Sequence, residues 1–266
     1  MTHLHLIAGS HPSQTLPVVR KIGMHDLEDA LATGLNDFSA FPSHVIFLSI
    51  LYPIVGLVAA RLTVSYDVVP LLFPLAAGFA LIGPFAAIGL YELSRRRELG
   101  LDVSWKDAFA AWRSPSIDGI IAFGVLLLII FVLWIAVAHA TYVANFGDAP
   151  SGSIADFLRQ VFTTRAGWTM IVIGNGVGFL FAVVVLAISV VTLPLLLDRD
   201  VGAGVAILTS LRAVLQNPAP LSLWGLIVAA LLLIGSLPAF IGLAVVMPVL
   251  GHASWHLYRK LVEPEP

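Results

Sequence analysis

The chain has 266 residues, of which 59% are hydrophobic and 11% are charged, less than half the charged fraction of about 25% that is usual in soluble domains. This composition predicts a polytopic membrane protein, and the formal net charge of −2 excludes a nucleic-acid binder on bulk electrostatics. Because cysteine is absent, disulfides, thiolate metal sites, iron–sulfur clusters and cysteine nucleophiles are excluded together.

Residues 1–25 are predicted to form a cytoplasmic tail. No continuous apolar segment typical of a signal peptide occurs before residue 44, and charged residues recur from Arg20 to Asp37. Residues 26–41 place leucine and phenylalanine about one helical turn apart, with acids at the start, where the helix dipole favours them. This pattern predicts a first amphipathic helix, which Pro42 ends.

Six apolar segments are predicted to cross the membrane as helices, because a helix of about 20 apolar residues spans the hydrocarbon core. They cover about residues 44–64, 69–93, 117–142, 171–197, 221–233 and 239–258. The fifth segment is the shortest, and we expect it to be tilted or shallow. The predicted fold is therefore an all-α membrane protein, with one six-span domain over residues 26–262.

Two further amphipathic helices are predicted on the side of the termini. In the first, Ser104 and Asp107 have the spacing of a capping box, and Trp105, Phe109 and Trp112 share one face. The second follows Asp198-Arg199-Asp200, and its apolar residues at helical spacing are Val201, Val205, Leu208, Leu211 and Leu215. All three amphipathic helices are expected to lie on the cytoplasmic membrane surface. A further helix, from Ser153 to Phe162, is predicted on the far side.

A threefold internal repeat of one amphipathic helix and two spans is indicated by two comparisons. A proline closes each amphipathic helix, at Pro42, Pro115 and Pro218. Pro84 precedes residues 91–96 (YELSRR) at the same spacing at which Pro248 precedes residues 255–260 (WHLYRK). The repeat units would cover about residues 26–97, 104–200 and 201–262.

The distribution of basic residues predicts the orientation of the chain. Eleven of the 14 fall on the side of the termini and three fall on the other side of the membrane. This excess predicts a protein of the bacterial inner membrane with both termini in the cytoplasm. The eleven are Arg20, Lys21, Arg95, Arg96, Arg97, Lys106, Arg113, Arg199, Arg212, Arg259 and Lys260.

Residues 71–100, 193–218 and 242–262 resemble an uncharacterised family of proteobacterial integral membrane proteins, a domain of unknown function. Some family members are labelled cytochrome c oxidase subunit I, which implies twelve helices and six buried histidines. This chain has about half those spans, and the only histidines in or near them are His44, His139, His252 and His256. Since it also lacks a nucleophile-elbow serine and an evident carboxylate pair, neither a catalytic oxidase role nor another enzymatic activity is expected.

Three sets of residues are candidates for sites. His252 and His256 are four residues apart on one helix, the spacing at which two imidazoles hold a metal, and Glu92 is the third ligand if the repeat holds. A collar for lipid or a partner protein consists of Arg95, Arg96, Arg97, Trp105, Trp112 and Arg113. Gly174 and Gly178 indicate a helix-packing seam, with Asn175 bonding across it. No cofactor is assigned.

The sequence favours a non-catalytic scaffold or accessory protein that binds membrane lipids or another membrane complex. A transporter or facilitator of an uncharged or amphiphilic small molecule is the first alternative, because the predicted span centres hold no charged residue for ion coupling. The second alternative is a haem- or metal-binding accessory of a respiratory oxidase, through the His252 and His256 pair.

Overall fold

The computed structural model describes residues 16–41, 74–75, 78, 83–147, 154–237 and 242–264. These residues are helical apart from short connections and one isolated antiparallel bridge, between Val19 and Val262. The helices are α1 Met24–Ala40, α2 Gly83–Ala86, α3 Ile88–Glu98, a 3-10 helix Trp105–Arg113, α4 Ile117–Phe146, α5 Ile154–Thr163, α6 Arg165–Ser189, α7 Thr192–Asp198, α8 Ala203–Gln216, α9 Pro218–Ser236 and α10 Leu243–Leu261.

Three helices in the described part of the chain are long and apolar enough to cross a membrane. They are α4, the stretch Arg165–Asp198 formed by α6 and α7, and α9, which correspond to the third, fourth and fifth predicted spans. The first predicted span lies outside the described residues, and the second is described only in part. The sixth predicted span corresponds to α10, which is not among these three helices. The count of six spans and the threefold repeat therefore stay predictions.

The exposed side chains of α4 indicate the environment that surrounds this helix. Its 30 residues extend about 45 Å at 1.5 Å per residue, and only 22% of its most apolar window is buried within the protein. Val125, Leu128, Ile129 and Val132 are all exposed. A continuous uncovered apolar surface of this length is typical of a helix in lipid.

The chain divides into two compact units. Unit 1 comprises Met1–Pro53, Pro84–Val125 and Leu186–Pro266, and unit 2 comprises Ile54–Gly83 and Leu126–Val185. In unit 2, the rings of Trp134 and Phe181 lie 5.5 Å apart, and Tyr142 packs with Phe157 and Val161. These contacts join the α4, α5 and α6 residues of this unit.

In unit 1, close backbone approach joins α1 to α10. A Cβ atom on Gly34 would lie 2.6 Å from the backbone nitrogen of Ala253, closer than real contacts allow. Only glycine therefore permits this crossing, as at small-residue interfaces of membrane helices. The buried face of α1 consists of Leu27, Ala30, Gly34 and Asp37.

Small and polar residues also form the buried face of α8. Ala206, Thr209 and Ala213 are buried, whereas Leu208 is exposed and Leu215 is 80% exposed. The helix predicted from Val201 to Leu215 is thus present, as Ala203–Gln216. Leu208 and Leu215 therefore point away from the buried face of this helix.

Two capping interactions fix helix starts. The backbone N–H of Ser104 donates to Asp107 Oδ2 at 2.8 Å, so the predicted capping box is present. The following helix is a 3-10 helix. At the start of α1, the backbone N–H of Gly23 donates to Asp26 Oδ2 at 2.8 Å, which satisfies a donor at this end.

The described part of the predicted tail is anchored in unit 1. The backbone N–H of Arg20 donates to the Leu261 carbonyl at 2.8 Å. The side chain of Asn217 accepts from the Ile22 N–H at 2.8 Å and donates to the Arg20 carbonyl at 3.0 Å. Residues 1–15 lie outside the described part of the chain.

Candidate functional site

A buried polar cluster lies where α1, α3 and α10 meet in unit 1. It consists of Asp37, Ser94, Arg97, His252 and His256. Asp37 is only 3% exposed; its Oδ2 accepts from Ser94 Oγ at 2.6 Å and lies 2.7 Å from His256 Nε2. Its Oδ1 accepts from Arg97. The carboxylate is therefore held by partners from two helices other than its own.

The hydrogen bonds of Ser94 fix the tautomer of His252. Ser94 Oγ donates its single proton to Asp37, and His252 Nδ1 lies 2.6 Å from the same oxygen. Nδ1 must then carry the proton that it donates to Ser94. In the neutral ring Nε2 is left as an acceptor, and this buried nitrogen has no hydrogen-bond partner among the described residues.

This order of groups differs from that of a serine nucleophile. In a catalytic triad the serine hydroxyl faces Nε2 of the histidine, and the carboxylate holds Nδ1. Here Ser94 lies between Nδ1 of His252 and the carboxylate of Asp37, and it is buried. The arrangement holds a carboxylate and does not activate a hydroxyl.

The surroundings of Asp37 lower its pKa. Burial raises the pKa of this carboxyl, but hydrogen bonds from His256 and Ser94 and the nearby imidazoles of His256 and His252 outweigh burial and bring the pKa below 3.8. The group therefore remains an anion inside the protein. It supplies the negative charge that Arg97 needs.

A second set of charges joins α3, α7 and α10. The hydroxyl of Tyr258 donates to Asp198 Oδ2 at 2.7 Å, and Arg259 lies 3.3 Å from the same oxygen. Arg259 Nε also donates to Glu98 Oε1 at 2.9 Å. Arg95 Nε lies 3.8 Å from Asp198 Oδ1. These pairs bring the ends of the three helices together.

The predicted metal ligands do not gather into one set. His252 and His256 both face Asp37, whereas Glu92 pairs with Arg95 at 3.3 Å. Within the described ranges, no group of three or more histidine, aspartate or glutamate residues could hold a metal ion. Asp37 is not among the candidate site residues predicted from the sequence, although its helical register with Leu27, Ala30 and Gly34 is a usable signal for a buried acid.

Three of the four arginines of the predicted collar have carboxylate partners within the chain. Arg97 pairs with Asp37, Arg96 lies 3.5 Å from Asp107, and Arg95 lies between Glu92 and Asp198. Their charges are thus partly used in joining helices of unit 1.

The rest of the predicted collar is exposed. Trp105 is exposed, and Trp112 is 59% exposed on the 3-10 helix. Phe109 between them is also exposed, and we call these three residues the aromatic face. Arg113 is exposed as well, and it has no ion-pair partner within the described segments.

Of the two glycines of the predicted packing seam, Gly178 faces another helix. A Cβ atom on Gly178 would lie 3.0 Å from the ring of Trp134, whereas Gly174 has no neighbour within 4 Å among the residues that the structure describes. The amide of Asn175 donates to the Ile171 carbonyl of its own helix at 2.7 Å, instead of bonding across to another helix.

Comparison with known proteins identifies one family. Residues 72–198 match the family model described as "Predicted integral membrane protein (DUF2189)". Searches of curated proteins and of solved structures find no match. The matched segment includes α3, the 3-10 helix, α4 and the stretch Arg165–Asp198, two of whose helices are candidate spans. Residues 72–198 are therefore similar to this family of predicted integral membrane proteins, as the resemblance seen in the sequence implied.

Proposed function

We propose that this protein is a non-catalytic, six-span protein of the bacterial inner membrane, with both termini in the cytoplasm. Its helices in unit 1 bind the phospholipid surface and serve as a scaffold there. The observation that carries this proposal is the outward placement of bulky apolar side chains on α8 and on the 3-10 helix.

The number of crossings is supported by contacts within unit 1. Glu98 and Arg259 form an ion pair at 2.9 Å, so both lie on the same side of a membrane. The chain between them must cross an even number of times, yet its described residues contain three candidate spans. A crossing by α10 makes the number even. The Asp37–Arg97 pair likewise requires an even number of crossings between these residues, in keeping with the first two predicted spans.

The orientation is supported by charge. The cationic residues of this side include Arg95, Arg96 and Arg97 at the end of α3 and Arg259 and Lys260 at the end of α10. Clusters of this sign are typical of the cytoplasmic side of a membrane protein.

The apolar surfaces near this side favour contact with lipid. On α8 the leucines at positions 208 and 215 are exposed, while small residues are buried. On the 3-10 helix the aromatic face is exposed, and Arg113 is exposed next to Trp112. Tryptophan and basic residues together are characteristic of the interfacial layer, where the ring lies at headgroup level and the cation meets anionic lipid.

The depth of two side chains tests the lipid contact. Because the chain lacks cysteine, Trp112→Cys and Leu215→Cys can each carry one fluorophore in a lipid nanodisc. Asp102→Cys, in the exposed connection before the 3-10 helix, is the matched control. We expect brominated phospholipids to quench the labels at 112 and 215 and to leave the label at 102 unaffected.

Equal quenching at all three positions, or none, would remove the proposal. A stoichiometric protein that copurifies in mild detergent and shields both labels from the brominated lipid would instead assign these faces to a membrane complex. The quenching experiment tests only whether α8 and the 3-10 helix contact lipid. Its result does not depend on the number of spans.

One observation favours a second candidate, a haem- or metal-binding accessory. Nε2 of His252 has no hydrogen-bond partner among the described residues, and it is a buried acceptor of the kind that binds a metal ion or haem iron. An absorbance spectrum and metal analysis of the purified protein test this candidate. It predicts a bound chromophore or metal that His252→Ala removes, and a colourless, metal-free protein would exclude it.

A further inference from the structure

A cleft of about 170 Å³ opens in unit 1 beside the 3-10 helix. Its walls come from the end of α3, from the turn between the 3-10 helix and α4, and from α7. The lining residues are Glu92, Arg95, Ala110, Arg113, Ser114, Pro115 and Leu197. The cleft is separate from the cluster around Asp37, none of whose members lines it.

The polar groups of the cleft include three hydrogen-bond donors without acceptors among the described residues. Arg95 Nε is buried and makes no hydrogen bond there; its distance of 3.8 Å to Asp198 Oδ1 is too long for one. Arg113 has no described ion-pair partner. Ser114 Oγ accepts from the Ser116 N–H at 3.2 Å, so its own proton remains available.

The charge of the cleft matches a monoanion. Arg95 and Arg113 contribute two positive charges and Glu92 one negative charge, which leaves a net charge of +1. Guanidinium groups bind phosphate oxygens through charge-assisted hydrogen bonds. A phosphodiester carries one negative charge and several acceptor oxygens, and so meets both requirements.

The cleft lies at the level at which two candidate spans end. Pro115 precedes the first residue of α4 by two positions, and Leu197 is the last residue but one of the stretch Arg165–Asp198. Headgroup phosphates occupy this boundary between hydrocarbon and water. The neighbouring exposed Trp112 is of the residue type that is enriched there.

We propose that this cleft binds the phosphodiester of one phospholipid headgroup through Arg95, Arg113 and Ser114. The inference rests on the proposed membrane-surface function, which it deepens by naming the bound group and its ligands. The lipid tails would then lie along the apolar surface that begins at α4.

Native mass spectrometry of the full chain in detergent micelles tests this site. The probes are dihexanoyl phosphatidylglycerol, dihexanoylglycerol, which lacks phosphate, and inorganic phosphate. The main variant is Arg113→Gln, because this side chain is exposed and unpaired within the described segments, so folding does not depend on it. Lys106→Gln is the matched control, since Lys106 is an exposed cation of the same helix, stacks on Trp105 and does not line the cleft.

We expect one phosphatidylglycerol per chain, with affinity reduced about tenfold by Arg113→Gln, the loss of one charge-assisted contact. Lys106→Gln should leave the affinity within about twofold, and Arg113→Lys should restore part of it, because the charge returns without the planar fork. The diacylglycerol should not bind. Inorganic phosphate at the same concentration should not displace the lipid.

Equal binding by wild type and Arg113→Gln, or equal losses in Arg113→Gln and Lys106→Gln, would overturn the site. Displacement by inorganic phosphate at equal concentration would assign the cleft to a free anion and overturn the lipid source. The fluorophore-depth test of the aromatic face uses other residues. If the labels at 112 and 215 are not quenched but phosphatidylglycerol still binds in the cleft, only the proposed function fails. If the labels are quenched but the cleft does not bind phosphatidylglycerol, only this inference fails.

Discussion

His256 Nε2 lies 2.7 Å from Asp37 Oδ2, and this contact joins α10 to α1 across 219 residues of sequence. Arg97 reaches the other oxygen of the same carboxylate from α3. One buried acid thus connects α1 to residues near the ends of α3 and α10. The stability of unit 1 should depend strongly on its charge.

Asp37→Asn should destabilise the protein by about 3 kcal/mol, because it leaves Arg97 and His256 without their anion while the side-chain shape is kept. Chemical denaturation in nonionic detergent measures this loss. Glu28→Gln is the control, since Glu28 is an exposed acid on the same helix, and it should have little effect. Similar losses in the two variants would show that Asp37 has no special part in stability.

The stabilisation by Asp37 should decrease in acid. Hydrogen bonds and nearby imidazoles bring the pKa of Asp37 below 3.8 in spite of burial. A lowered pKa stabilises the folded state above the unfolded value, and this contribution is lost as the pH falls through the folded value. The stability difference between wild type and Asp37→Asn should therefore shrink as the pH falls from about 5 to about 3. A difference that is constant or grows over that range would contradict the assignment.

Gly34→Ala should force the backbones of α1 and α10 apart and lower the stability of the protein. The new Cβ would lie 2.6 Å from the nitrogen of Ala253, and overpacking of this kind costs about 1–3 kcal/mol. Gly23→Ala is the matched control, because a Cβ there has no neighbour closer than 3.9 Å. Denaturation midpoints compare the two variants, and equal midpoints would show that the crossing tolerates a methyl group.

Asn217→Ala should release the segment before α1. It removes the hydrogen bonds to Ile22 and Arg20 and leaves partly buried backbone groups unpaired, at a cost of about 1 kcal/mol. Limited trypsin digestion at Arg20 and Lys21 should become faster. The neighbouring exposed Gln216→Ala should leave the rate unchanged, and an equal rate in both variants would show that Asn217 does not hold the segment.

Local structure could be predicted from sequence where its cause is local. The capping box of Ser104 and Asp107 depends on a spacing of three residues, and its hydrogen bond is present. The limits of α1 and α8 follow from apolar periodicity and from the prolines at 42 and 218. The long apolar segment that forms α4 likewise predicts a helix of spanning length. The fifth predicted span, residues 221–233, is longer in the structure, where α9 extends over Pro218–Ser236 because the helix begins at Pro218 and includes the residues before the turn.

The polar cluster could not be predicted in the same way, because its partners are distant in sequence. The spacing of His252 and His256 correctly placed them on one helix, but nothing local indicates that Asp37 is their common partner. Arg95, Arg96 and Arg97 were expected to face lipid or a partner protein, since a basic cluster at a span end does so by default. Their pairing with acids from three different segments is a property of the tertiary structure.

Labelling of single cysteines with a membrane-impermeant thiol reagent tests the central claim, the membrane topology, most directly. Asp102→Cys, Thr163→Cys and Glu263→Cys each place one thiol at an exposed position in a chain that has none. In inside-out vesicles the reagent should label positions 102 and 263 and spare 163, and in right-side-out vesicles only 163 should react. Labelling of 102 and 163 from the same side would show that α4 does not cross the membrane, and labelling of 102 and 263 from opposite sides would contradict the even number of crossings.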